Sequence, residues 1–215
     1  MTIANTQERF SSYSHLLGAL ISVAGTIFLC ACAATRGMSP TTVLIYGLSL
    51  VFLFSASSVY HARKTEENGT SVYRKLDHFA IFILIAGTYT PMCVFYLNGG
   101  WRMGIILAQW SLVFAGMFIT FFYINAPRAL TTAIYLVMGW LALLPLRQFW
   151  GAMTSHTLFL LFGGGAAYTI GAIIYALKKP NPLPGKFGFH EIFHVFILVG
   201  AGMHYAMILE SVLGR

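Results

Sequence analysis

Apolar residues along this chain gather in seven long blocks, at roughly 14–34, 40–61, 76–97, 103–123, 129–149, 155–177 and 190–213. Each block matches the 20 or so residues a helix needs to cross about 30 Å of hydrocarbon. Polar stretches with turn chemistry separate them: Arg36-Gly37 with Pro40, the charged 62–75 segment, Asn98-Gly99-Gly100, Asn125-Ala126-Pro127, Trp150-Gly151, and the proline-rich run from Lys178 to Gly188. The pattern predicts an all-α integral membrane protein, a single seven-transmembrane helix bundle over 1–215 with short connections. Only Arg9 precedes the first block, which is expected to be a retained helix and not a leader peptide.

Composition narrows the class further. Only 9% of the 215 residues are charged and 58% are hydrophobic, against about 25% and 45–50% in soluble domains. A soluble enzyme, a disordered chain and a coiled coil are thereby excluded. The thirteen basic residues outnumber six acidic ones, yet they stand singly or in pairs between apolar blocks. They form no basic face, and a nucleic-acid partner is not expected. Cys30, Cys32 and Cys93 lie inside apolar runs without CxxC spacing, which supports neither a disulfide framework nor a thiolate metal site.

The basic residues also predict an orientation. Arg9, Arg63, Lys64, Arg74, Lys75, Arg128, Lys178, Lys179 and Lys186 fall on one side of the seven blocks, and Arg36, Arg102, Arg147 and Arg215 on the other. The positive-inside bias puts the N-terminus in the cytoplasm and the C-terminus outside. Within the spans, Gly163-Gly164-Gly165 and Gly171 suit close helix packing. Pro91 and Pro145 are expected to kink the third and fifth helices.

Ionisable groups in hydrocarbon are costly, and those that persist there mark function. Glu8 precedes the first block, Glu66 and Glu67 lie in a loop, and Glu210 nears the outer end of the last block. Asp77 and Glu191 are the two acids left within predicted spans. His15, His61, His78, His190 and His194 all fall at the cytoplasmic ends of their helices, at the same depth as Asp77. His190 and His194 are four apart and share one helical face. With His61 as a third nitrogen they form the donor set of an open zinc site, three histidines and one position left for water or substrate. Asp77, expected in the first turn of helix three, is placed to take that water's proton. Ser57 lies one turn deeper than His61 on the same face. The competing reading is that these histidines bond between helices or face interfacial water.

His190-Glu191-Ile192-Phe193-His194 also fits H-E-x-x-H, the zinc-protease pattern in which the Glu is general base. Glu210, the next carboxylate, lies 16 residues on, about 24 Å along a continuous helix, too far to complete such a site. Third-ligand duty therefore falls to His61, and Asp77 is the favoured base.

These residues resemble the hemolysin III family, the bacterial branch of the progestin and adipoQ receptor (PAQR) superfamily. Glu8-x-x-Ser11-x-x-Ser14-His15 is similar to the family's opening E-x-x-N-x-x-[ST]-H, with Ser11 in place of the usual Asn. Ser57 to His61 fits S-x-x-x-H, and Leu76-Asp77-His78 follows with the run Ile83 to Pro91. His190 to His194 fits H-x-x-x-H. The resemblance implies seven helices, a cytoplasmic N-terminus, and zinc held by His61, His190 and His194, with Asp77 beside the water and Ser57 close by. Relatives with Gln in place of Glu191 argue against that Glu as an essential base.

Three functions stay open at this level. The first is a zinc-dependent intramembrane hydrolase of a lipid acyl amide, serving membrane lipid homeostasis from a bacterial inner membrane. The second is a lipid sensor whose zinc is structural, and the third a pore-forming haemolysin. Membrane lipids are the expected partners. His15 and His78 are read either as supports of the site or as interfacial anchors, and Tyr60 as a membrane-interface tyrosine. His204 lies about 15 Å beyond His194 and is expected to bond between helices. His156 receives no role.

Overall fold

The computed structural model describes residues 6–64, 71–123 and 128–214. Glu66, Glu67, Asn125 to Pro127 and Arg215, used above for loops and orientation, lie outside them. Among the described residues the elements are α1 (Thr6–Thr35), α2 (Thr41–Arg63), α3 (Val72–Tyr96), α4 (Gly99–Phe122), α5 (Arg128–Trp140), a 3-10 turn (Leu141–Leu143), α6 (Leu146–Ala152), α7 (Ser155–Leu177) and α8 (Phe189–Leu213). Six helices are long and apolar enough to span a membrane, and the bent pair of α5 and α6 makes a seventh when counted as one span. The chain is an all-helical multi-pass membrane protein.

The starts of two helices differ from expectation, and the kink expected at Pro145 is a full break. The fifth block is not one helix. It turns 3-10 after Trp140 and bends by 54° before Leu146, because Pro145 supplies no N–H for the helical ladder. The first block starts two turns earlier than its apolar content suggested, so His15 sits in the third turn of α1 and not at its start. Glu8, Ser11, Ser12 and His15 recur at helical spacing, and Ser11, Ser12 and His15 are buried. A search for apolar blocks passes over a helix whose inward face is polar. Helix three also begins early, at Val72 behind the Ser71 cap whose Oγ accepts from Arg74 N–H. Asp77 therefore lies in its second turn, not its first.

Neighbouring helices pack in chain order from α1 to α4. Helix α5 leans on α3 and α7, α7 pairs with α8, and α8 closes back onto α1. The last helix thus meets the first two, which is what brings His190 and His194 toward His61. Exposed side chains such as Ile27, Phe114, Phe122 and Phe159 give an apolar outer surface suited to lipid.

Small residues set the closest approaches. A Cβ at Gly164 would overlap the His204 imidazole, whereas one at Gly165 would meet nothing. His204 uses that notch to donate from Nε2 to the Leu161 carbonyl, 3.1 Å away, the interhelical bond expected of it. Gly164→Ala is therefore expected to destabilise by about 1–3 kcal/mol through overpacking. That corresponds to roughly 2–4 °C of melting temperature per kcal/mol in a chain of this size. Gly165→Ala should melt with the wild type in the same detergent. Equal melting of all three would refute the α7–α8 notch.

Candidate metal centre

Three imidazoles converge at one end of the bundle. His61 closes α2, and the i,i+4 pair His190 and His194 opens α8. Their Nε2 atoms face one another, with His190 3.3 Å from His61 and 3.1 Å from His194. One nitrogen from each lies within 4.8 Å of the others. His61 and His194 are almost completely enclosed, and His190 is half-buried. Tetrahedral zinc with N ligands at 2.0–2.1 Å separates those ligands by about 3.3 Å. The two measured separations fit that spacing with little movement. Neutral imidazoles packed nitrogen to nitrogen in an apolar surround lack an obvious internal use, and a cation would satisfy all three. The residues present can hold a metal ion.

The outward nitrogens of His61 and His194 are also engaged. His61 Nδ1 lies 2.6 Å from Glu8 Oε2, and Lys64 Nζ donates to Glu8 Oε1 at 2.6 Å. His194 Nδ1 lies 2.8 Å from His15 Nε2. Phe54 packs edge-on to His15, while Tyr175 and Phe193 flank His190. These aromatic rings exclude water from part of the cluster and hold its histidines in orientation.

The other residues singled out in the sequence fall into place around this group. Glu191 is buried, and its Oε2 accepts from Gly188 N–H at 2.7 Å. It closes the start of α8 as a helix cap, which occupies the carboxylate that a zinc-protease reading requires as base. Asp77, on α3, lines the same cavity as the histidines and stands outside the group with metal-ligand spacing. Neither Arg74 nor Lys75 forms an ion pair with it among the described residues, and Lys75 Nζ donates to the Phe121 carbonyl instead. Ser57 is buried and lines the cavity. Unlike Thr88, Thr90 and Ser211, which donate to the carbonyl four residues back, it makes no such bond. His78 also borders the cavity, and its carbonyl accepts from Tyr135 Oη. Tyr60 differs from expectation: it is buried beside His61 and not anchored at an interface. His156 pairs with Glu210 at the opposite end of α8.

The cavity has a volume of about 280 Å³ and runs from the histidines past Leu84 and Ile85 to Trp140 and His204. A water molecule needs only about 10–15 Å³ of such space, so the cavity is sized for a ligand. Its lining comes from α1 to α5, α7 and α8, with the histidines of α2 and α8 among aromatic and aliphatic walls.

Glu8 was the residue that sequence reasoning left outside the centre. Its signal was available: a polar stripe at positions 8, 11, 12 and 15 leading into a span has no use facing lipid. What one chain could not reveal is which helix that stripe meets.

Fold and site together define a multi-pass helical membrane protein with a three-histidine centre lining an internal cavity. The chain belongs to the haemolysin-III-related family, whose sequence model matches residues 3–205. It is 32% identical over 205 residues to the hemolysin-3 homolog of Bacillus subtilis (strain 168), covering 94% of this chain and 93% of that protein. It is 32% identical over 220 residues to hemolysin-3 of Bacillus cereus, covering 99% and 95%. A more distant similarity, 23% over 237 residues, links it to the adiponectin receptor protein of Drosophila melanogaster, covering 97% of this chain and 51% of that one.

Proposed function

We propose that this protein is a zinc-dependent intramembrane hydrolase of lipid acyl amides. The observation that carries the reading is the convergence of three histidine Nε2 atoms on a cavity that Asp77 and Ser57 also line. Structural zinc sites are closed by four protein ligands, whereas catalytic ones keep a position open. Three imidazoles without thiolate, and a cavity at the cluster, match the second kind. Zinc is the metal proposed because an all-imidazole tetrahedral site suits it.

A zinc ion bound there would supply Lewis acidity and a water of lowered pKa. The chain's own groups do the rest. The apolar walls hold the acyl chain and bring its carbonyl to the histidines. Ser57 donates its hydroxyl to the carbonyl oxygen as negative charge develops there. Asp77 accepts a proton from the attacking water and returns it to the leaving nitrogen as the C–N bond breaks. One amide and one water give a fatty acid and an amine.

The nine-to-four distribution of basic residues supports an orientation in which the N-terminus and the histidine centre face the cytoplasm. In a bacterium that membrane is the inner one, with its lipids as the partners. The reading is tested by purifying the wild type, measuring bound zinc, and assaying fatty-acid release from a panel of lipid amides and esters. Release from an amide, abolished by chelation and restored by zinc, is the expected result. Stoichiometric zinc with no release from any lipid would overturn the hydrolase and leave a lipid sensor with structural metal.

A further inference from the structure

We propose that Glu8 and His15, two residues of α1 that ligate nothing, are the positioning residues of the metal centre. They set which ring nitrogen of His61 and of His194 is free to bind. The inference rests on the metal reading above and extends it to a helix outside the ligand set.

The argument is one of proton placement. The three Nε2 atoms face one another, so a metal taken up there requires each of them to be unprotonated and each Nδ1 to carry the hydrogen. An ionised carboxylate only accepts. Glu8 Oε2, at 2.6 Å, therefore fixes the hydrogen of His61 on Nδ1 and leaves Nε2 with its lone pair inward. Lys64 Nζ, bonded to the other Glu8 oxygen, holds that carboxylate in place against His61.

His15 supports His194 differently, as a neutral ring whose Nε2 is placed to accept from His194 Nδ1 when a metal takes Nε2 of His194. With His194 donating from Nδ1, His15 must accept at Nε2, 2.8 Å away, and must carry its own hydrogen on Nδ1. The His15 Nδ1 atom is buried and has no partner among the described residues. A solvated anchor would not enclose a polar nitrogen this way, and a packing residue would not aim the other nitrogen at a metal-ligand ring. Among the described residues, none of α1 gives His190 a partner of this kind. The centre is thus braced at two of its three ligands, both times by the first three turns of α1.

Supports of this kind change metal affinity by about 10–100-fold when removed. The test uses full-length protein in detergent, with zinc affinity read by competition against a chromophoric chelator. The variants are Glu8→Gln, Glu8→Asp, His15→Leu and His15→Gln. The melting temperature of each is taken in chelator, where no metal contributes. Glu8→Gln and His15→Leu are expected to weaken zinc binding by about 10–100-fold. His15→Gln keeps an acceptor oxygen for His194 and is expected to recover most of the affinity, as Glu8→Asp should where its shorter carboxylate still reaches His61. Melting in chelator should change little across the set.

Wild-type affinity in Glu8→Gln and His15→Leu would overturn the proposal while leaving the metal centre intact. It would also be overturned by losses that track melting in chelator with no recovery in His15→Gln, which describe packing alone. A wild type that takes up no zinc would end the metal reading itself. Fatty-acid release enters none of these outcomes, so a failed hydrolase assay leaves the inference standing on its own measurement.

Discussion

His194→Ala is expected to strip the metal from the protein. It removes one of three nitrogens that approach within 4.8 Å of one another, and no carboxylate or thiolate stands in that group to replace it. Zinc binding to protein sites is worth about 10–16 kcal/mol, so one ligand's share of roughly 3–5 kcal/mol lowers affinity about 10²–10⁴-fold. The change also leaves His15 Nε2 facing a void. Two measurements check it. Metal analysis of the purified variant should find little zinc where the wild type carries one equivalent. Thermal melts should show the wild type gaining stability with added zinc, by about 4 kcal/mol at a thousand times Kd, and the variant gaining almost none. Equimolar zinc in His194→Ala would remove this residue from the centre.

Asp77→Ala is expected to do the opposite: keep the zinc and lose the reaction. The carboxylate lines the cavity from α3 and stands apart from the three nitrogens, so metal affinity should change only slightly. As the group that moves the proton, its loss should cost about 10²–10⁴-fold in kcat. Asp77→Asn sharpens the test, because the amide keeps the size and one acceptor oxygen but not the basicity. An Asp77→Asn variant that hydrolyses lipid amide at the wild-type rate would exclude this residue as the base. A variant that loses zinc together with activity would instead make Asp77 a support of the metal.

The division of labour proposed for these two residues starts from the pattern of the chain. A His pair at i,i+4 stacks on one face of any helix. A histidine at the end of one span and a pair at the start of another fall at one membrane depth whatever the packing. The same reasoning placed Asp77 at that depth, and the polarity of the segments around it was enough. It left the role of Glu191 open. In sequence that residue completes H-E-x-x-H, and only the turn at Gly188 shows that its carboxylate is spent on capping α8.

Some errors of reading share one physical origin. The early turns of α1, the burial of Tyr60 and the part played by Glu8 all concern polar or amphipathic groups that face inward. Hydropathy counts apolar residues against lipid, so a helix with a polar inner face looks shorter than it is. Pro145 is the reverse case: its effect on the backbone is local, and the break between α5 and α6 falls where its missing N–H puts it.

By itself, the sequence determined that this is a multi-pass helical membrane protein, that Asp77 and several histidines fall toward one end of their helices, and that three of those histidines suit a metal. Those properties follow from the free energy of placing each residue in hydrocarbon and from helical periodicity, both of which are local. The tertiary structure alone decided that α8 closes onto α1 and α2, that the three Nε2 atoms face one another, and that Glu8 and His15 stand behind two of them. Those depend on which helix faces meet, and that choice is made by packing across the whole bundle, where residues 8 and 61, or 15 and 194, become neighbours with no trace of it in their spacing along the chain.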